Sequence, residues 1–422
     1  MELSESQTLS AALKSLKESE QLQVLLARQP IFTKNQDVVA YELLFRTQSG
    51  GFDATVTDDR ATLSVIVNTY ASICRDGEIR SLPCYLKLTD KVLLDSSLPE
   101  LPKDTFALEL LGHTEVSPAL IAKLQELAKR GYRLVLADYD PREARFEPLL
   151  NIVHVLKLDI LKLGLHALPP IIAKLKPYNL ELLADKVENQ DQFRQCLEMG
   201  FSLYQGYFLS KPVPVRGKKI GGNKVVLLQL LAELQNPETT AAALEQIAVN
   251  DAALTYKILR VVNSAAFSLR REIESLSHAI TLLGLDQIRR WVTLFLASGE
   301  AGKPDELTRN MLVRGRMCEL LAELMGRPQP INYFIVGLLS QLDVLLDIAM
   351  PELMEQVPLR QDIKDALLSH AGELGAVLTD VELYERGEFD KLHRLVDPAY
   401  YEVAYRHSLA WGQQVMQAMS DS

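Results

Sequence analysis

Six short apolar runs, each separated from the next by a stretch of helical pattern, constrain the first half of this chain more than any other feature. They cover residues 38–45 (VVAYELLF), 83–88 (PCYLKL), 105–111 (TFALELL), 133–138 (RLVLAD), 153–159 (VHVLKLD) and 180–185 (LELLAD). Strands that are apolar on both faces need cover on both faces, which β-α-β crossovers supply and open antiparallel hairpins do not. One intervening stretch, SPALIAKLQELAKRG, shows the helix signals in order. Ser117 is placed to cap the N-terminus, Pro118 to open the first turn and Gly131 to end the helix. Polar residues collect at the C-terminal ends of the apolar runs, which favours a closed (β/α) barrel over an open sheet.

The pattern changes after VPVRGKKIGGNK (213–224), a Pro-, Gly- and Lys-rich stretch that reads as a linker. Beyond it VVLLQLLAEL, ALEQIAVN, ALTYKILRVVN, SLSHAITLLG, DQIRRWVTLFLAS and YFIVGLLSQLDVLLDIAM all carry helical periodicity. The fold class expected is α/β plus all-α, a TIM-like barrel followed by a helical domain. Residues 1–22 are expected to form an amphipathic helix of their own. Ser4 and Gln7 there have capping-box spacing, and Leu9, Leu13 and Leu16 share a face.

Charge and cysteine usage narrow the function classes. A net charge of -10 argues against general affinity for nucleic acid or an anionic membrane. The basic cluster Arg216, Lys218, Lys219 and Lys224 therefore reads as a solvated linker, with nucleic-acid contact as the alternative. In RRW (289–291), Trp291 at helical spacing reads as core, with an interface anchor as the alternative. The four cysteines are scattered without the spacing of a metal site, as in a reduced cytosolic protein. No apolar run reaches the ~18 residues of a spanning helix, and the acidic start MELSESQTLS is no signal peptide, so a cytoplasmic protein is expected.

The strand ends carry Glu42, Lys87, Glu109, Asp138, Lys157 with Asp159, Asp185 with Glu188, and Gln205. A ring of carboxylates can hold Mg²⁺ or Mn²⁺ and activate water for phosphodiester cleavage. Charged residues also end strands simply because the chain meets water there, and spacing alone leaves both readings open.

RQPIF, YELLFR, LELL, LADYD, VLKLD, ADKVEN and QGYFLSKP occur in the order and spacing of the EAL domain, which residues 23–212 resemble. That resemblance implies a cyclic-di-GMP phosphodiesterase barrel with two metals at the C-terminal strand ends. It makes Glu42 the motif glutamate, Glu109 a metal-ligand glutamate, Lys157 the catalytic lysine and Glu188 a further site glutamate. Gln205 matches the glutamine near the attacking water, Asp138 a remnant ligand, and Gln29, Arg46 and Tyr207 the positions that touch the dinucleotide. Against the family pattern, Lys87 replaces an asparagine ligand, Ala137 the first of two aspartates, Asp185 a glutamate and Lys186 a glycine. A second glutamate after Glu109 is absent, with LLGH in its place. An ammonium ~4 Å from a unit charge of like sign costs roughly 4 kcal/mol at an effective dielectric near 20, and twice that for a divalent ion. The expectation is a degenerate barrel that is not an enzyme and has no cofactor, with Mg²⁺ or Mn²⁺ only if activity persists. Lys87 then pairs with Glu42 or Glu109 in place of a cation, or else turns to solvent.

The stretch NDAALTYKILRVVNSAAFSLRREIESLSHAITLLGLDQIRRWV resembles the HDOD domain, expected over 225–410 with a tail at 411–422. HDOD domains lack the metal-binding His-Asp pair of their hydrolase relatives, and here Ser340 and Gln341 stand at that place. The resemblances together imply a bacterial signalling protein that acts through protein partners on the HDOD surface, with cyclic-di-GMP as a ligand and a homodimer left open. The alternatives are a weak phosphodiesterase with one metal on Glu42, Glu109, Asp138 and Glu188, and a nucleic-acid-binding regulator.

Overall fold

A computed structural model describes residues 24–47, 67, 82–95, 101–208, 222–236, 238–248, 280–281, 284–297, 303–357 and 359–420. The chain forms two compact units. The first is Met1–Lys211 together with Leu383–Leu392 and Asp397–Val403; the second is Pro212–Glu382 with His393–Val396 and Ala404–Ser422.

Eight strands close a barrel in chain order in the first unit. They are β1 (Val24–Thr33), β2 (Val38–Thr47), β3 (Cys84–Leu88), β4 (Phe106–Leu110), β5 (Arg133–Leu136), β6 (Val155–Asp159), β7 (Glu181–Asp185) and β8 (Leu203–Gln205). β1 runs antiparallel to both its neighbours, β2 and β8. The remaining pairs are parallel. The six expected runs all become strands; β1 and β8 are the two that the apolar pattern does not mark. β1 carries Arg28, Gln29 and Pro30 at its middle, and β8 is three residues long.

One residue from each strand fills the barrel with an apolar layer: Ile31, Ala40, Tyr85, Ala107, Val135, Val155, Leu183 and Leu203. Side chains alternate along a strand, so the residue two places nearer the mouth shares the inward face. In β1, which runs the other way, that place is Gln29. In the rest it is Glu42, Lys87, Glu109, Ala137, Lys157, Asp185 and Gln205. The helix at Pro118–Lys129 forms as its signals require, with Ser117 Oγ accepting from the Leu120 N–H at 3.2 Å and Gly131 at φ 90° after it.

The second unit is helical throughout its described residues, with helices at Gly222–Glu233, Ala241–Ala248, Leu285–Ala297, Asp305–Leu324, Pro330–Leu339, Leu342–Leu346, Met350–Gln356 and Gln361–Ser369. Two longer helices, Gly372–Glu385 and Pro398–Ser420, each divide between the units. Three expectations change. The run 333–350 is not one helix: it breaks at Ser340 and Gln341, where the Ser340 hydroxyl donates back to the Gly337 carbonyl. Lys224 is not linker: it is buried in a helix that starts at Gly222, with Nζ donating to the Leu296 carbonyl. The tail from 411 is helical to Ser420, with Trp411 edge-on to Phe334. The expected N-terminal helix, residues 216–219, and nearly all of ALTYKILRVVN and SLSHAITLLG lie outside the described residues. No helix among the described residues is long and apolar enough to cross a membrane.

Candidate active site at the barrel mouth

The inward layer above the apolar one is a connected polar network. Lys157 Nζ donates to Glu42 Oε2 at 2.5 Å and to Glu109 Oε1 at 3.2 Å. Lys87 reaches the other oxygen of Glu42 rather than solvent. Gln205 Nε2 donates to Glu42 Oε2 at 2.7 Å and to Gln29 Oε1 at 3.0 Å. Glu42, Glu109, Lys157 and Gln205 are all buried. Side chains from three other strands, β3, β6 and β8, thus converge on Glu42, its carboxylate saturated by two ammonium groups and an amide.

Burial and these charges set the protonation states. Burial alone raises a carboxyl pKa, but the Lys157 and Lys87 ammoniums outweigh it at Glu42 and hold that group well below the usual carboxylate range. At Glu109 burial wins, with the Glu42 charge adding to it against the pull of Lys157, and the pKa is raised. Asp185 is raised by burial in the same way. Burial opposes the charge of Lys157, yet Glu109 and Glu42 keep it firmly protonated. Glu109 Oε2 and Gln205 Oε1 are buried and find no hydrogen-bond partner in the structure.

The side chains present do not fit a divalent cation. Both oxygens of Glu42 face ammonium groups, and Ala137 brings no donor to the ring. Asp138, expected as a remnant ligand, is exposed at φ 51°, because the two-residue period directs Ala137 inward and turns its neighbour away. Among the described residues no group of three or more His, Cys, Asp and Glu is arranged to hold a metal.

Other expected residues are spread around the rim. Glu188 follows β7, half-buried, its N–H donating to Gln192 Oε1 at 2.7 Å. Lys186 holds φ 60°, a region that the family's glycine occupies without a Cβ penalty, and its Nζ pairs with Asp159 Oδ2 at 2.6 Å. Gly206 is required where it stands: at φ 143°, a Cβ would come within 2.2 Å of the Val187 carbonyl. It lets the chain fold Gln205 inward while leaving Tyr207 on the rim, 39% exposed. Arg46 forms an ion pair with Asp390, a partner the sequence reading missed for want of any local signal. In the helical unit, Ser340 accepts from Arg314 at 2.9 Å, Arg314 also reaches Glu382 Oε1 at 3.1 Å, and Gln341 is buried. Arg289 and Arg290 of the RRW run bond within the same unit, to the Leu234 carbonyl and to Glu319.

Known proteins resemble both parts. Residues 223–374 match the HDOD domain. The Bacillus subtilis protein YuxH is 31% identical over 408 residues, covering 94% of this chain and 100% of that one. The cyclic di-GMP phosphodiesterase CdgJ of Vibrio cholerae is 34% identical over 371 residues, covering 86% of this chain and 85% of that one. Among solved structures, the EAL domain of FimX from Pseudomonas aeruginosa, bound to c-di-GMP, matches 48% of this chain and 95% of its own at 16% identity, with a TM-score of 0.36. The expectation of a barrel that is not an enzyme is corrected by the second of these. A relative 34% identical over most of this chain's length is a cyclic di-GMP phosphodiesterase, and that likeness overturns the expectation drawn from Lys87, Ala137 and Asp185.

Proposed function

The chain belongs to the EAL–HDOD family of two-domain signalling proteins, and on that premise we propose that its barrel is a cyclic di-GMP phosphodiesterase. The observation that carries this reading is the buried network of Lys157, Glu42 and Glu109 at the C-terminal strand ends, the face where barrels of this kind do their chemistry. A phosphodiester carries one negative charge and gains a second on its oxygens as water adds to phosphorus. Lys87 and Lys157 bring positive charge to that place without reorganisation, which is the most effective form of such stabilisation. Glu109, a carboxyl raised toward the working pH with one oxygen unpartnered, is the group suited to take the proton of the attacking water. Cleavage of the P–O bond opposite the water opens the ring to a linear dinucleotide, the leaving sugar oxygen taking a proton from solvent and Glu109 returning its own there. Arg46, Gln29 and Tyr207 hold the substrate at the rim.

A divalent ion has no open place on Glu42, since Lys87 occupies the oxygen that one would use. The test is chromatographic detection of the linear dinucleotide from cyclic di-GMP, in chelator and in added Mg²⁺ or Mn²⁺. Turnover is expected in the full chain and its loss in Glu42→Ala and Glu109→Gln. Absence of product in every condition overturns the reading.

A further inference from the structure

The segment Leu383–Leu392 packs as part of the barrel unit although it lies far along the chain. Tyr384 pins its start: the hydroxyl donates to the Leu26 carbonyl at 3.0 Å and accepts from the Leu26 N–H at 3.2 Å, across 358 residues of sequence. The Tyr384 ring lies edge-on to Phe389, with centroids 5.0 Å apart, and stacks on Tyr401 at 6.1 Å. In the middle, Gly387 stands at φ 72°, so close to Leu44 that a Cβ would meet Leu44 Cδ1 at 2.8 Å. At the far end Asp390 pairs with Arg46. Leu26, Leu44 and Arg46 all sit on the β1–β2 hairpin, on the mouth side of Glu42. From another part of the rim, the Tyr207 phenol lies in the field of Arg386, Glu388 and Glu385.

The segment thus seats the Asp390 carboxylate on Arg46, one of the residues that hold the dinucleotide in the function proposed above. We propose that Leu383–Leu392 is an autoinhibitory strap in which Asp390 occupies the Arg46 guanidinium in place of a substrate phosphate. Carboxylate and phosphate both suit a guanidinium fork, so they compete for it. The Arg46 and Asp390 side chains are 28% and 33% exposed, and a pair so open to water is weak enough for a phosphate to displace. Tyr384 and its aromatic neighbours hold the strap by its other end, so displacement lifts one end rather than releasing the whole. This inference rests on the cyclic di-GMP reading, and the experiment separates the two.

Full-length wild type, Asp390→Asn and Tyr384→Phe are compared in two measurements. The first is the rate at which an arginine-selective dicarbonyl labels Arg46, followed by mass spectrometry with no dinucleotide present. The second is the dissociation constant for cyclic di-GMP, by calorimetry. Labelling several-fold faster in both variants is expected, with binding about fivefold tighter in Asp390→Asn, the range that a partly exposed ion pair supplies. Adding Arg46→Ala to Asp390→Asn is expected to cancel the gain. Unchanged labelling overturns the strap. Faster labelling with an unchanged dissociation constant overturns the competition. Faster labelling without cyclic di-GMP binding by any of the proteins overturns the function proposed above, while the cover over Arg46 then stands on the labelling.

Discussion

Lys87 and Lys157 share one carboxylate, Glu42, and the consequences differ because their surroundings do. Lys157 is enclosed, and removing its charge in Lys157→Met leaves Glu42 and Glu109 buried with too little compensation. A loss of about 3–5 kcal/mol is expected, read from urea denaturation. Lys87, 21% exposed, is a cation that opposes a metal, while Ala137 withholds a ligand from the same ring. Lys87→Asn and Ala137→Asp together are therefore expected to raise Mn²⁺ affinity in calorimetric titration by more than the sum of the single changes, since both act on one site. The two glutamates pull pH dependence in opposite directions. Glu42 has a folded-state pKa below its ordinary 4.5, so its contribution to stability is present above 4.5 and fades as pH falls. Glu109 has one above 4.5, so the folded state keeps a proton the unfolded chain has given up, and its contribution fades as pH rises past 4.5. Melting temperatures measured from pH 4 to pH 8 are expected to show an alkaline decline in wild type that is smaller in Glu109→Gln.

At the scale of elements, the β1–β2 hairpin does two jobs. Its inward residues Gln29 and Glu42 face the network, and its mouth end receives the strap. Gly387 makes the second possible through a positive φ and through close approach to Leu44. Gly387→Ala is expected to cost about 1–3 kcal/mol locally and to speed amide hydrogen exchange over 383–392, leaving exchange in β4 to β7 unchanged. Most strands and the Ser117-capped helix were legible because their signals are local: an apolar run, a cap, a proline, a glycine. β1 was not, since its middle is Arg28, Gln29 and Pro30, and an antiparallel first strand has no helix behind it to mark a repeat. The helix expected across 333–350 was wrong at Ser340, whose hydroxyl bonds back into the preceding turn while Arg314, from another helix, bonds to it.

At the scale of the whole molecule, the units are not consecutive stretches of chain. Leu383–Leu392 and Asp397–Val403 return to the barrel unit after the chain has built most of the helical one. Truncation after Glu382 is therefore expected to lower the melting temperature of the barrel by several degrees, because Leu26 loses its partner Tyr384 and the aromatic cluster on it. What the sequence determined by itself was the inward ring, because a period of two along each strand places every second residue on the same face, whatever the rest of the molecule does. That is why seven of its eight positions were legible as polar strand-end residues or family motif positions, and why Ala137 stood out. Which charges meet was settled by the packing of the strands in space. The pairing of Lys87 with Glu42 and the seat of Asp390 on Arg46 depend on distances between strands and on a segment hundreds of residues away. Coulomb energy and burial are properties of that arrangement in space, and no pattern of neighbours along the chain encodes them.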